Sequence, residues 1–165
     1  MSKKISKTLK FNGSVEEVIK MFQNETYLIS KSKHAARHSF KIDQASDGLS
    51  IHLERVFDLP HKIPSIFRKM LGRNLTLLQE EIWTRNSDGS YSGNIELRVD
   101  SLKAIGSLTA SLNTAGTETK LSLNGKLKCS KALIGGQIED YAADYVEEVL
   151  QDEQDIANEW LEMNR

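Results

Sequence analysis

Hydrophobic and polar positions change period several times along the chain, and the changes divide it into elements. Ile5, Lys7, Leu9 and Phe11 alternate with polar neighbours and predict a first strand over residues 3–11. Ser14, Val15, Glu16 and Glu17 then form a capping-box pattern, and Val15, Val18, Ile19 and Phe22 supply the apolar face of a helix. A second short helix is expected between Thr26 and Ala36. From Phe40 the period is two: Phe40 and Ile42 precede Asp47 and Gly48, a hairpin turn, and Leu49, Ile51, Leu53, Arg55 and Phe57 share the face of the next strand. Proline at 60 and 64 interrupts the strands. Ile63, Ile66, Phe67, Met70 and Leu71 then predict a short amphipathic helix ending at Gly72.

Four strand-like runs follow, Leu75 to Arg85, Tyr91 to Val99, Ala104 to Asn113 and Thr119 to Cys129, with turns at Ser87 to Ser90 and Thr114 to Thr117. In the second, Tyr91, Gly93, Ile95, Leu97 and Val99 oppose Ser92, Asn94, Glu96, Arg98 and Asp100, so one face is buried and one wet. The last stretch is helical. Ile138, Ala142, Tyr145, Val149, Ile156, Trp160 and Met163 form one stripe at about 100° per residue. From Gly136 to Met163 it runs roughly 40 Å at about 1.5 Å per residue, which demands a wide partner. The expected fold class is α+β: a curved antiparallel sheet of about seven strands around a long C-terminal helix, as a single domain over residues 1–165.

That order resembles the helix-grip fold of the START-related, polyketide-cyclase and birch-pollen-allergen (SRPBCC) superfamily. More narrowly, it resembles the bacterial domain of unknown function 2505. The similar stretches are Ser14 to Val18, Phe67 to Gly72, Leu75 to Trp83 and Ile134 to Glu139. None is a catalytic signature. The resemblance implies an internal cavity for a hydrophobic ligand, lipid-like or aromatic, between the sheet and the last helix, and analogy of fold alone carries no activity.

Charge is unevenly spread. Residues 133–165 hold ten acids and one base, Arg165, leaving thirteen acids and twenty-one bases in the first 132. Most of these acids flank the apolar stripe and solvate the helix's outer face, although an acidic interaction surface through Glu147, Glu148, Asp155 and Glu159 is a further reading. The basic half lacks an aromatic platform on its wet face, and no nucleic-acid partner is expected. Lys62, Arg68, Lys69 and Arg73, around Phe67, allow transient contact of residues 62–73 with an anionic membrane. No apolar run approaches the ~20 residues of a membrane span. The N-terminus has no signal-peptide run and Cys129 is the lone cysteine, so a cytoplasmic protein is expected.

No phosphate loop, nucleophile elbow, paired Cys-x-x-Cys or His-Glu-x-x-His occurs, and neither a cofactor nor a metal is expected. His34 and His38 are two potential ligands where zinc needs more. His52 and His61 carry no assigned role, and Cys129 is expected to pack as a small hydrophobe. Gly135 and Gly136 suit a close backbone approach at the helix start better than an anion site.

The candidate ligand-binding residues are polar side chains on apolar faces. Arg55 continues the Leu49, Ile51 and Leu53 face, and Gln79, Glu81 and Trp83 continue the Leu75 and Leu77 face. If the registers hold, Arg55 and Glu81 face the cavity, compensating each other or holding a ligand's polar end. A bulge would turn them outward and bring Leu78, Glu80 and Ile82 inside, and this is slightly favoured. Tyr141 and Tyr145 place hydroxyls on or beside the helix stripe, where core packing is favoured over ligand contact. Binding or transport of a hydrophobic molecule is the leading expectation. A cyclase or hydratase using Arg55, Glu81 or a tyrosine as acid or base is the alternative. The stripe itself has a flaw: Asp152 and Glu153 lie near its flanks between Val149 and Ile156. Either the helix leaves the sheet there, or these acids meet a base at the cavity mouth.

Overall fold

The computed structural model describes residues 2–59, 63–130 and 135–165. Pro60, His61, Lys62, Leu133 and Ile134 fall outside them, and with them part of the segment 62–73 and of the stretch 134–139. The chain runs β1 (Ser2–Phe11), α1 (Val15–Phe22), α2 (Glu25–Lys31), β2 (Arg37–Ala45), β3 (Gly48–Asp58), α3 (Ser65–Leu71), β4 (Asn74–Arg85), β5 (Tyr91–Val99), a 3₁₀ turn (Asp100–Leu102), β6 (Ala104–Ala115), β7 (Glu118–Cys129) and α4 (Gly135–Met163). Every predicted element is present.

The seven strands form one antiparallel sheet in the order β1-β7-β6-β5-β4-β3-β2, so only β1 closes out of sequence. α4 runs beside β1, where Gln154 Oε1 accepts from the Lys10 backbone N–H at 2.8 Å, and Asn158 Oδ1 accepts from that of Asn12 at 2.8 Å. Asn158 Nδ2 donates back to the Lys10 carbonyl. These side chains occupy the free edge that another strand would otherwise seek.

Half of the capping box forms: the Ser14 hydroxyl accepts from the Glu17 N–H at 3.2 Å, whereas the Glu17 carboxylate lies 3.9 Å from Arg165 Nε. The second helix is shorter than expected, ending at Lys31 rather than continuing to Ala36. Sheet pairing intervenes: Ala36 N–H donates to the Val56 carbonyl at 2.8 Å, and β2 begins at the next residue.

α4 buries a wider arc than its predicted stripe. Ala143, Leu150, Ala157 and Leu161 are buried beside Ile138 and Ile156, which pushes the contact surface round one flank. Met163, expected on the stripe, is 76% exposed as the helix's last residue, while Leu161 of the same turn is the side chain that packs inward. At the other end Gly135 lies against the sheet: a Cβ there would sit 2.9 Å from the Cys129 carbonyl oxygen. Gly135 thus fills the role expected of the glycine pair, whereas Gly136 has nothing within 4 Å of where a Cβ would stand. Cys129 is buried, its Sγ 3.0 Å from the Leu102 carbonyl.

Two apolar clusters result. The larger joins β1, α1, α2, the sheet's concave face and the C-terminal half of α4, and includes Phe11, Phe22, Tyr27, Trp83 and Leu161. The smaller joins Ile63, Phe67 and Leu71 around α3 to Leu102, Ala104, Cys129 and Ile138. Between them the packing leaves a space.

Candidate functional site

That space is a cavity of about 150 Å³, walled by Leu77, Ile95, Leu97, Leu108, Leu123 and Leu127 of the sheet and by Tyr141, Ala142, Val146 and Val149 of α4. α3 closes one end through Phe67, whose ring meets Tyr141 edge-on at 5.3 Å. The outer side of α3 carries Ile66, 40% exposed, beside exposed Arg68 and Lys69. At the opposite end a second chamber of about 270 Å³ opens, lined by His34, Phe57, Glu148, Asp152 and Ile156. Lys31, Arg55, Tyr145, Val149 and Glu153 line both chambers and form the neck between them.

The polar residues at the neck follow from strand register. β3 pairs with β4 without interruption from Gly48 opposite Thr84 to Asp58 opposite Asn74, and β4 with β5 from Leu78 opposite Arg98 to Arg85 opposite Tyr91. No bulge intervenes. The outward reading of Arg55, Gln79 and Glu81 is therefore corrected: they are 4%, 6% and 5% exposed, whereas Ile82 faces outward at 57%. Alternation carried through the unbroken ladder holds them on the concave face whatever their charge.

Burial is made tolerable by a chain of contacts. Arg55 Nη2 donates to Gln79 Oε1 at 2.7 Å, and Gln79 Nε2 donates to Glu81 Oε2 at 2.5 Å. Glu81 Oε1 accepts from the Trp83 indole N–H at 2.9 Å. Gln79 thus turns its acceptor to the guanidinium and its donor to the carboxylate. Trp83 is held from its other face by the sheet, its ring lying over Gly93, where a Cβ would come within 2.6 Å. Only glycine leaves room there.

Lys31, at the end of α2, completes the group. Its ammonium lies 2.5 Å from Glu153 Oε1 and 3.5 Å from Glu81 Oε2, with its side chain 7% exposed. Burial is the largest influence on this lysine and works against its charge, but Glu153, then Glu81 and Tyr27, outweigh it and hold the amine protonated above its usual range. Burial likewise pushes the Tyr27 hydroxyl up, Lys31 pulling the other way. Tyr145, half-buried, is raised by burial first, against the pull of Arg55.

Five of the six candidates thus meet in the cavity wall at or near the neck: Arg55, Gln79, Glu81, Trp83 and Tyr145. Tyr141 lies toward α3. Sequence patterning missed Lys31, which as a basic residue in a helix's last turn looks like any other. Glu153 was marked by its interruption of the stripe, and the base that it meets is Lys31. Asp152 stays exposed, as do Glu147, Glu148, Asp155 and Glu159. His34 and His38 are exposed, His38 on β2 and His34 before it, and no cluster of metal-ligating side chains occurs among the described residues. His52 reaches Glu80 at 3.3 Å on the wet face. Among the described residues no helix is long and apolar enough to cross a membrane.

Comparison with solved structures finds the same architecture widely. The STAR-related lipid transfer protein of Xanthomonas axonopodis has a TM-score of 0.62 at 11% identity, over 96% of this chain and 85% of that one. A START superfamily protein of Mycobacterium smegmatis gives 0.55 at 12%, over 96% and 98%. The Zhui aromatase/cyclase of Streptomyces sp. R1128 gives 0.54 at 9%, over 98% and 92%. At such identities the likeness establishes the fold, which is the START-like helix-grip expected. No curated protein matches the sequence. A family model does, over residues 6–161, and the chain belongs to that family, DUF2505, proteins of unknown function.

Proposed function

We propose that the chain acts as a single binding domain for a small hydrophobic molecule, held in the cavity between the sheet and α4. The observation that carries this is the cavity itself. Protein interiors leave few voids larger than a water, yet here leucine, isoleucine and valine side chains surround about 150 Å³. An unfilled space of that size costs about 3–4 kcal/mol at roughly 24 cal/mol per Å³, so an apolar occupant has stabilisation to recover. An engineered apolar cavity of similar volume in another protein holds benzene, which sets the scale at one ring or a short chain. One of the structural neighbours is named a lipid transfer protein, which agrees with this reading.

The polar network supports holding rather than turnover. Both Glu81 oxygens already accept from Trp83, Gln79 and Lys31, leaving that carboxylate poorly placed to take a substrate proton. Calorimetric titration of butylbenzene into the wild-type protein and a Val146→Phe variant tests the proposal. Saturable one-to-one binding with a negative heat-capacity change, lost when the phenyl ring of the variant fills the cavity, is expected. Equal heats from both proteins would end it.

A further inference from the structure

The neck is chemically one-sided. Gln79 Oε1 and both Glu81 oxygens are occupied by donors within the wall. Arg55 is not fully used: among the described residues no carboxylate lies within 4.0 Å of its guanidinium, which meets a neutral amide and sits over the Phe57 ring at 5.6 Å. Its Nε–H, in a side chain only 4% exposed, has no partner. An orphaned buried donor is costly and rare. Arg55 and Tyr145 both line the passage between the apolar chamber and the outer one. The deep chamber thus ends in a donor, the Arg55 Nε–H, whose matching acceptor is missing.

The electrostatic surroundings say what kind of acceptor fits. Lys31 is matched by Glu81 and Glu153, and Arg55 is coupled to Glu81 through Gln79, so the buried group already carries two cations and two carboxylates. The outer chamber is lined by the acids Glu148, Asp152 and Glu153, and by His34. An incoming anion would enter beside three acids and leave a buried excess of negative charge. A neutral oxygen acceptor takes the Arg55 N–H without upsetting that balance.

We propose that the ligand is an apolar molecule of about one ring headed by a neutral carbonyl-type oxygen, a ketone, ester or amide, whose oxygen accepts from Arg55 at the neck. This deepens the proposed function and rests on it. Arg55 is the specificity residue, Gln79 positions it, and Tyr145 supplies a second donor.

Three ligands sharing one apolar body make the test: butylbenzene, 4-phenylbutan-2-one and 4-phenylbutanoate, titrated at neutral pH into wild type and Arg55→Met. The ratio of butylbenzene to ketone dissociation constants is expected to fall about 10-fold or more in Arg55→Met, the scale of a hydrogen bond to a charged donor. An unchanged ratio, with both ligands still binding, overturns the proposal and leaves hydrophobic binding intact. So does 4-phenylbutanoate binding wild type more tightly than the ketone. If none of the three binds wild type, the cavity reading itself fails and this inference with it. Should Arg55→Met not fold, the infrared carbonyl band of ¹³C-labelled ketone on wild type decides. A shift to lower frequency than in an alkane supports the contact, and an alkane-like frequency refutes it.

Discussion

Replacing Lys31 with methionine removes the cation that touches both neck carboxylates while keeping an unbranched side chain of similar length. Glu81 would remain buried with Trp83 and Gln79 as donors, and Glu153, 17% exposed at its side chain, would turn toward water. Breaking a buried pair from one side costs about 3–5 kcal/mol. Because Glu81 keeps two donors and Glu153 has an exit, the lower figure of about 3 kcal/mol applies. For 165 residues, at about 2.1 cal/mol/K per residue, that is a fall in Tm of roughly 9 °C. Urea unfolding followed by tryptophan fluorescence and circular dichroism measures it. The triple variant Lys31→Met, Glu81→Gln, Glu153→Gln removes the charges together and is expected to recover most of the loss, since neutral replacement of a whole buried ion group is often nearly cost-free. A single variant within about 0.5 kcal/mol of wild type, the range of ordinary surface substitutions, would refute the account of the neck. So would a triple variant whose loss is the sum of its parts.

The raised Lys31 and Tyr27 groups both hold protons in the folded chain that the unfolded chain releases from about their ordinary values of 10.5 and 10.0. Their contribution to stability is therefore fully present at lower pH and declines as pH climbs above about 10, and denaturant midpoints across pH 8–11 check the sign. Gly93→Ala drives a methyl into the Trp83 ring, since its Cβ would lie 2.6 Å away; a loss of about 1–3 kcal/mol with altered tryptophan emission is expected, measured by urea titration. Asn158→Ala frees the N–H of Asn12 and the carbonyl of Lys10 at the β1 edge. It should cost about 1–2 kcal/mol and speed amide exchange at Asn12, read by hydrogen exchange.

The sheet was legible because its strands alternate cleanly and lack bulges, so each register can be read from one end. Ile95, Leu121 and Leu123 show their buried face without help. Arg55 and Glu81 were ambiguous for a physical reason: alternation placed them inside, while the cost of burying charge argued for a bulge. What resolves this is partnership between distant segments, Gln79 bridging them and Lys31 arriving from α2, and neither periodicity nor composition reports such contacts. The length of α2 was overestimated because helical patterning does not register that β3 captures Ala36 through Val56. Met163 shows the complementary failure, since a periodic stripe does not reveal where its covering surface ends. The cavity was implied by the resemblance alone and not by the residues, because it is a difference between side-chain volumes and the space enclosed, set by how α4 crosses the sheet.

The claim on which the account stands is that the space beneath α4 holds a molecule. Native mass spectrometry of the protein purified from its own cells, beside Val146→Phe expressed and purified in the same way, tests it most directly. Wild type is predicted to carry a single small adduct, extractable into organic solvent and absent from Val146→Phe. Bare chain mass in repeated wild-type preparations, together with no saturable uptake of butylbenzene, would contradict it.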